Sequence, residues 1–340
     1  MSISRRNALS LFAALPVLAA CGVGGSSSDS DSKTVRIAFQ SFADSTLLVK
    51  DQKTLEKALP DHTVKWTAFD SGASINTAFL GGSIDLAVIG SSPAAAGLCP
   101  PLNIPYQVIE LLNVIGNSEA LVVRKATGIT KITELVGRKV AAPFSSTSHY
   151  SLLAALELAG VDASKVTLVD LEPQNIQAAW QRGDIDGAYV WTPVLSVLQQ
   201  DGVTLTDSAK LAEHGKPTLT FTVARKEFAD ANSDVLGKWL AATDAALKLI
   251  KTDPDTVAAA VSREIGISTA DALSQLKQNI YLDHAEQRGP DYFGTTDKPG
   301  SLADRLRDTA EFLYQQKKVD EVPDLATFGA ALRVPGAGSA

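Results

Sequence analysis

Two stretches of this chain, residues 64–93 and 166–193, repeat one layout at an offset of about 101 residues. Each runs strand, turn, helix, Gly-x-Ile-Asp-x-Ala, apolar residues and then proline. Gly82-Ser83-Ile84-Asp85-Leu86-Ala87 in the first is matched by Gly183-Asp184-Ile185-Asp186-Gly187-Ala188 in the second. A strand–helix–strand unit buries its helix on the sheet that its own strands begin, so two such units imply two lobes of like topology. The 340 residues leave room for both, at about 150 residues per domain. Alternating apolar residues in 35–39 and 64–69, with three-to-four spacing in 47–59, 75–80, 151–158 and 176–182, fit the same pattern. Helical spacing then dominates 234–251, 254–265, 269–279 and 301–316. The expected class is α/β, each lobe a sandwich of helices on a mainly parallel sheet.

Ser4-Arg5-Arg6 precedes an apolar stretch over 8–20, too short to span a bilayer, and that stretch ends in Leu18-Ala19-Ala20-Cys21-Gly22. Small residues before a cysteine resemble the lipobox of bacterial lipoproteins. The resemblance implies a signal peptide over 1–20, lipid on Cys21, and export to the outer face of the cell membrane or the periplasm. Ser-Arg-Arg-Asn-Ala-Leu is also similar to a twin-arginine export signal. The Gly, Ser and Asp of 22–32 cannot bury enough apolar area to order themselves, so 21–32 reads as lipidated cysteine and tether. The Pro/Gly/Ser-rich end, 333–340, reads as a frayed tail.

The formal net charge of −7, without any basic run, excludes a nucleic-acid partner. Two cysteines and four histidines supply neither a zinc site nor a disulfide framework, so no metal or cofactor is expected. After loss of Cys21 to lipid, Cys99 is the one thiol left, with the role of a small buried hydrophobe.

Ligands of open parallel sheets sit outside the carboxyl ends of the strands, where the next helices point their free N–H groups. Three such junctions are rich in Gly and hydroxyl residues: Asp70-Ser71-Gly72-Ala73-Ser74, Gly90-Ser91-Ser92-Pro93, and Pro143-Phe144-Ser145-Ser146-Thr147-Ser148-His149-Tyr150. Together they predict a donor-rich cleft for an anion that uses no cationic side chain. Trp191, at a strand's exit, is a candidate wall of the cleft, whereas Trp180 sits inside a helix and reads as core.

These three loops, with Gly116-Asn117-Ser118-Glu119-Ala120-Leu121 and Ala179-Trp180-Gln181-Arg182-Gly183-Asp184-Ile185-Asp186-Gly187-Ala188-Tyr189-Val190-Trp191, resemble the periplasmic taurine-binding proteins of bacterial ABC importers. The wider family takes up alkanesulfonates, nitrate and bicarbonate. The resemblance is specific from about residue 35 to 228. It implies a two-lobed clamshell of the periplasmic-binding-protein type, without enzymatic activity, that closes on taurine or a related aliphatic sulfonate and hands it to a membrane permease with its ATPase. Position by position it places the sulfonate against Ser71, Gly72, Ala73, Ser91 and Ser92, with Thr147, Ser148, His149 and Tyr150 closing from the other lobe and Gln40 lining the cleft. A taurine ammonium needs an acceptor, and Glu119 is the best-placed acid, Asp186 the second. Pro217-Thr218-Leu219-Thr220-Phe221 departs from the pattern: Thr220 stands where the relatives are expected to carry an acid, and Thr222 where an aromatic residue is usual.

The expected lobes are 33–125 with 217–332, and 126–216, hinged where the chain crosses, in a monomer. Alternative readings are a binder of another small anion or organic ligand, a sensor module, a pyrimidine-synthesis enzyme of the same fold, and an exported hydrolase using Ser92, His149 and Asp186. The last lacks the Gly-x-Ser-x-Gly elbow.

Overall fold

The computed structural model describes residues 33–336. The expected signal peptide, Cys21 and the tether lie outside the described residues, as do 337–340. Among the described residues, 34–336 pack as one unit containing two five-stranded sheets. The strands are β1 (Thr34–Phe39), β2 (Thr63–Ala68), β3 (Leu86–Gly90), β4 (Tyr106–Val114), β5 (Glu119–Arg124), β6 (Lys139–Ala142), β7 (Thr167–Asp170), β8 (Gly187–Trp191), β9 (Gly202–Asp207) and β10 (Leu219–Arg225). The first sheet has the order β2-β1-β3-β10-β4 and the second β7-β6-β8-β5-β9.

The internal repeat is visible strand by strand: β2 and β7 are edges, and β3 and β8 are central. In each sheet a single strand, β10 or β5, runs against the other four. Central β3 reads Leu-Ala-Val-Ile-Gly without alternation because helices cover both faces of the sheet. β8 is buried in the same way between two apolar clusters of its own lobe.

β5 pairs with β8 and β9, so the strand that the sequence reading assigned to the first lobe belongs to the second sheet. The chain therefore crosses at 115–118, not near 125. It returns beside that point, where the Ile115 N–H donates to the Thr218 carbonyl over 2.9 Å.

The repeated aspartates hold the far ends of the sheets. The Arg36 N–H donates to Asp85 Oδ2 and the Lys139 N–H to Asp186 Oδ2, both over 2.9 Å. The Asp85 and Asp186 N–H groups donate back to Arg36 and Lys139 over 2.8 Å. Each aspartate thus fixes the register of the central strand against its parallel neighbour at the end away from the strands' exits. Asp186, expected as the second ligand acid, is removed from the cleft by this placement.

The expected helix over 47–59 is two, Thr46–Asp51 and Thr54–Ala58, parted at Lys53 with φ +52°. The Ser233–Thr252 helix packs on the first sheet. The Leu302–Gln315 helix contributes Leu302, Leu306 and Leu313 to the first lobe's core, while its Phe312 enters the second lobe's core, 4.7 Å edge-on to Tyr150. Cys99 is fully buried, as expected. Residues expected to fray are partly tied down: the Arg333 N–H donates to the Val108 carbonyl over 2.9 Å, and Arg288 Nη1 donates to the Pro335 carbonyl.

Candidate functional site

The carboxyl ends of β1, β3, β4 and β8 and the first residue of β5 open on one cleft between the sheets. It encloses about 530 Å³ of empty space, part of it open to solvent. From the first lobe come Gln40, Gly72, Gly90, Asn113 and Thr220; from the second, Glu119, Ser146, Thr147, Trp191 and Thr192. Phe42, Ala43, Pro93 and Ile115 add apolar wall, and Ser118 and Asn279 sit at the crossing. Among the described residues that line it there is neither lysine nor arginine.

On the first-lobe side two helix N-termini stand together. The Gly72–Leu80 helix begins after Ser71 in extended conformation, whose hydroxyl caps the Ser74 N–H. The Ser91–Leu98 helix begins after Gly90. A Cβ on Gly72 would lie 2.4 Å from Pro93 Cγ, so only glycine lets the two termini approach this closely. Each terminus leaves orphan N–H groups and a positive partial charge beside the cavity.

On the second-lobe side the arrangement differs. The Thr147–Leu158 helix also begins at the cleft, with Ser146 accepting from the His149 N–H. Its first two side chains already face a carboxylate: Thr147 Oγ1 donates to Glu119 Oε1 over 2.8 Å, and the Ser148 hydroxyl donates to the same oxygen. Ser208 Oγ lies 3.4 Å from Oε2. Burial pushes the Glu119 carboxyl up to about 7, and the three hydroxyls restrain that rise. Asn113 Oδ1 is buried in the same cleft and accepts no hydrogen bond.

Of the residues selected from the sequence, Gln40, Gly72, Glu119, Thr147, Trp191 and Thr220 line the cleft. The others do not. Ser71 Oγ donates to Glu172, Ser91 Oγ accepts from the Leu219 N–H over 3.1 Å, Ser92 Oγ is buried without a partner, and Ser148 serves Glu119. Ala73 lines a separate groove with Ser145 and Lys318. The His149 ring is buried and stacked on Phe144 at 4.2 Å, its Nδ1 accepting from the Ser145 N–H. Burial and nearby Lys318 hold that imidazole down to about 4, so it is neutral. Tyr150 belongs to the second lobe's core against Phe312. His149 Nε2 and Ser92 Oγ each lack any partner and Asp186 is at the opposite strand end, so these three residues form no Ser-His-Asp relay.

Phe42, Ala43, Asn113, Ile115, Thr192 and Asn279 are cleft residues that the sequence does not single out, and none sits in a Gly/Ser junction; Ser146 lies inside the third of those junctions. Thr222, the second departure from the expected pattern, donates to buried Glu110 over 2.6 Å.

A family model described as the substrate binding domain of ABC-type glycine betaine transport system matches residues 33–264. The taurine-binding periplasmic protein of Escherichia coli (strain K12) is 38% identical over 329 residues, 95% of this chain and 96% of that protein. The putative aliphatic sulfonates-binding protein of the same organism is 28% identical over 301 residues, 87% and 88% of the two chains. Among solved structures, the alkanesulfonate-binding protein SsuA from Xanthomonas axonopodis pv. citri bound to MOPS superposes with a TM-score of 0.74 at 20% identity, covering 88% of this chain and 98% of that one. That last likeness is one of fold.

Proposed function

The chain belongs to the family of substrate-binding domains of ABC-type glycine betaine transport systems, and from that premise we propose that it captures taurine, or a related aliphatic sulfonate, between its lobes for an importer. The observation that carries this reading is the polarity of the cleft: two helix N-termini on one side, one carboxylate on the other, and no basic side chain in the lining. A sulfonate has three acceptor oxygens and stays ionised at neutral pH, so orphan N–H groups suit it without a counter-cation. The hydroxyls that open the Thr147–Leu158 helix are committed to Glu119, whose carboxylate repels a sulfonate from that terminus, favours Gly72, Gly90 and Gln40 for it, and leaves Glu119 for an ammonium. Phe42, Ile115 and Trp191 enclose the short methylene link.

Thermal unfolding with taurine, ethanesulfonate, sulfate and nitrate tests the ligand class. A ligand at a hundredfold its Kd stabilises by about 2.7 kcal/mol; the absence of a shift with any sulfonate rejects the reading. The ammonium contact has its own signature. A carboxyl near 7 must be ionised to meet a cation, so taurine affinity is expected to fall about tenfold per pH unit below 7 and to level off above it. Ethanesulfonate affinity is expected to stay flat. In the free protein the sign is opposite: the raised Glu119 value contributes stability that is full below about 4.5 and lost as pH rises through about 7. Glu119→Gln is expected to weaken taurine more than ethanesulfonate and to flatten the taurine profile. Equal losses by calorimetry would remove the ammonium from Glu119.

The lobes are assigned to 33–114 with 219–332 and to 119–213, hinged at the paired crossings. The protein is read as a monomer, exported and held by lipid on Cys21, with a permease and its ATPase as partners. Cys21→Ser is expected to move it from the membrane fraction to the soluble fraction.

A further inference from the structure

Outside the ligand cavity the two lobes meet at a pair of residues that the internal repeat places in equivalent positions. Ser71 precedes the Gly72–Leu80 helix, and Glu172 precedes the Pro173–Arg182 helix, 101 residues later. Ser71 Oγ donates to Glu172 Oε1 over 2.9 Å, across the seam between the lobes. Neither residue lines the cleft. Ser71 accepts from its own helix through an oxygen lone pair, which frees its proton for the other lobe. The Glu172 side chain caps nothing on its own helix; it reaches across.

The other oxygen, Oε2, is buried and has no partner. Burial raises the Glu172 carboxyl, with Asp70 and Asp170 nearby adding to the rise and the Ser71 hydroxyl opposing it. The large majority of buried side-chain polar atoms have a hydrogen-bond partner. Here closure gives the carboxylate one charge-assisted bond and strips water from its second oxygen, while parting the lobes rehydrates both. Contacts balanced in this way suit a joint that must open in every transport cycle. Other contacts between the lobes, Thr147 against Gly90 and Phe312 against Tyr150, are steric or apolar.

We propose that Ser71 and Glu172 form a latch that prolongs the closed, ligand-holding form, with Glu172 acting as a positioning residue through Ser71. The inference rests on the reading that a sulfonate binds between the lobes. Release of taurine, followed by stopped-flow Trp fluorescence, reads it out. Glu172→Ala is expected to speed release about tenfold and to change association less than twofold. Glu172→Gln keeps an acceptor carbonyl and is expected to retain most of the slow release. Ser71→Ala added to Glu172→Ala is expected to speed release no further. Release from Glu172→Ala at the wild-type rate, or additive effects of the two substitutions, would overturn the latch.

A ligand-free measurement separates the latch from the ligand assignment. Spin labels at Lys65→Cys and Lys165→Cys, exposed sites on β2 and just before β7, report the distance between lobes. Glu172→Ala is expected to shift the distribution outward. If the wild type binds no sulfonate the ligand reading fails, and the distribution alone decides the latch: an unchanged distribution rejects it.

Discussion

Gly90→Ala is expected to weaken ligand binding roughly tenfold to a hundredfold while leaving the stability of the free protein almost unchanged. The backbone of Gly90, at φ −73° and ψ 158°, is one that any residue adopts, so the substitution carries no conformational strain. The obstacle is the other lobe. A Cβ on Gly90 would lie 2.6 Å from Thr147 Cγ2, well inside van der Waals contact. Thr147 cannot swing away cheaply. Its β-branched side chain has few rotamers, and its hydroxyl is committed to Glu119 Oε1 over 2.8 Å. Overpacking of this kind costs about 1–3 kcal/mol, and here the cost falls only on the form in which the lobes touch. Thr147→Ser deletes the offending methyl and keeps the hydroxyl, so the double variant is expected to recover most of the affinity. Calorimetric titration of the four proteins decides it. Wild-type affinity in Gly90→Ala would mean that the lobes do not meet at Gly90 when ligand is bound.

The repeat that announced two α/β lobes was legible because Gly after a helix and Asp before a strand are local chemistry. The same motif misleads about Asp186 as a ligand acid: it precedes β8, and ligands of these sheets gather where strands end. The exchange of strands was harder to see. Gly116-Asn117-Ser118 reads as a turn between two strands of one sheet, and nothing local tells that β5 pairs with β8 some seventy residues on. Hydroxyls posed the opposite difficulty. Ser71, Ser91 and Ser148 stand where the loops said, but each spends its hydroxyl elsewhere: on Glu172, on the Leu219 backbone, on Glu119. A sequence fixes which group is available and leaves open which of several partners it takes. Asn113 and Asn279 reach the cleft from unremarkable stretches, brought there by the path of the chain alone. One signal did stand in plain view: Glu110 lies inside the apolar run Val108-Ile109-Glu110-Leu111-Leu112, where an acid without partners would be expelled.

Replacing that glutamate gives the largest loss of stability expected in the molecule. Glu110 is fully buried in β4. Its Oε1 accepts from Thr222 Oγ1 over 2.6 Å and from Trp239 Nε1 over 2.7 Å; its Oε2 accepts from Thr243 Oγ1 over 2.6 Å and lies 3.0 Å from His284 Nε2. One carboxylate thus joins β4, the returning strand β10, the Ser233–Thr252 helix and the His284–Gln287 turn of helix. Glu110→Leu fills the space but leaves Thr222 Oγ1 and Trp239 Nε1 in the core without an acceptor, and removing one side of a buried polar cluster costs about 3–5 kcal/mol. Glu110→Gln keeps one carbonyl and turns an NH2 toward the remaining donors, so it is expected to lose about half as much. Glu110 does not line the cleft, so taurine affinity measured well below the transition is expected to stay within a few-fold of wild type. Urea unfolding orders the three proteins as wild type, Gln, then Leu. A Leu variant within about 1 kcal/mol of wild type would mean that packing, not the carboxylate, holds β10 to the first lobe.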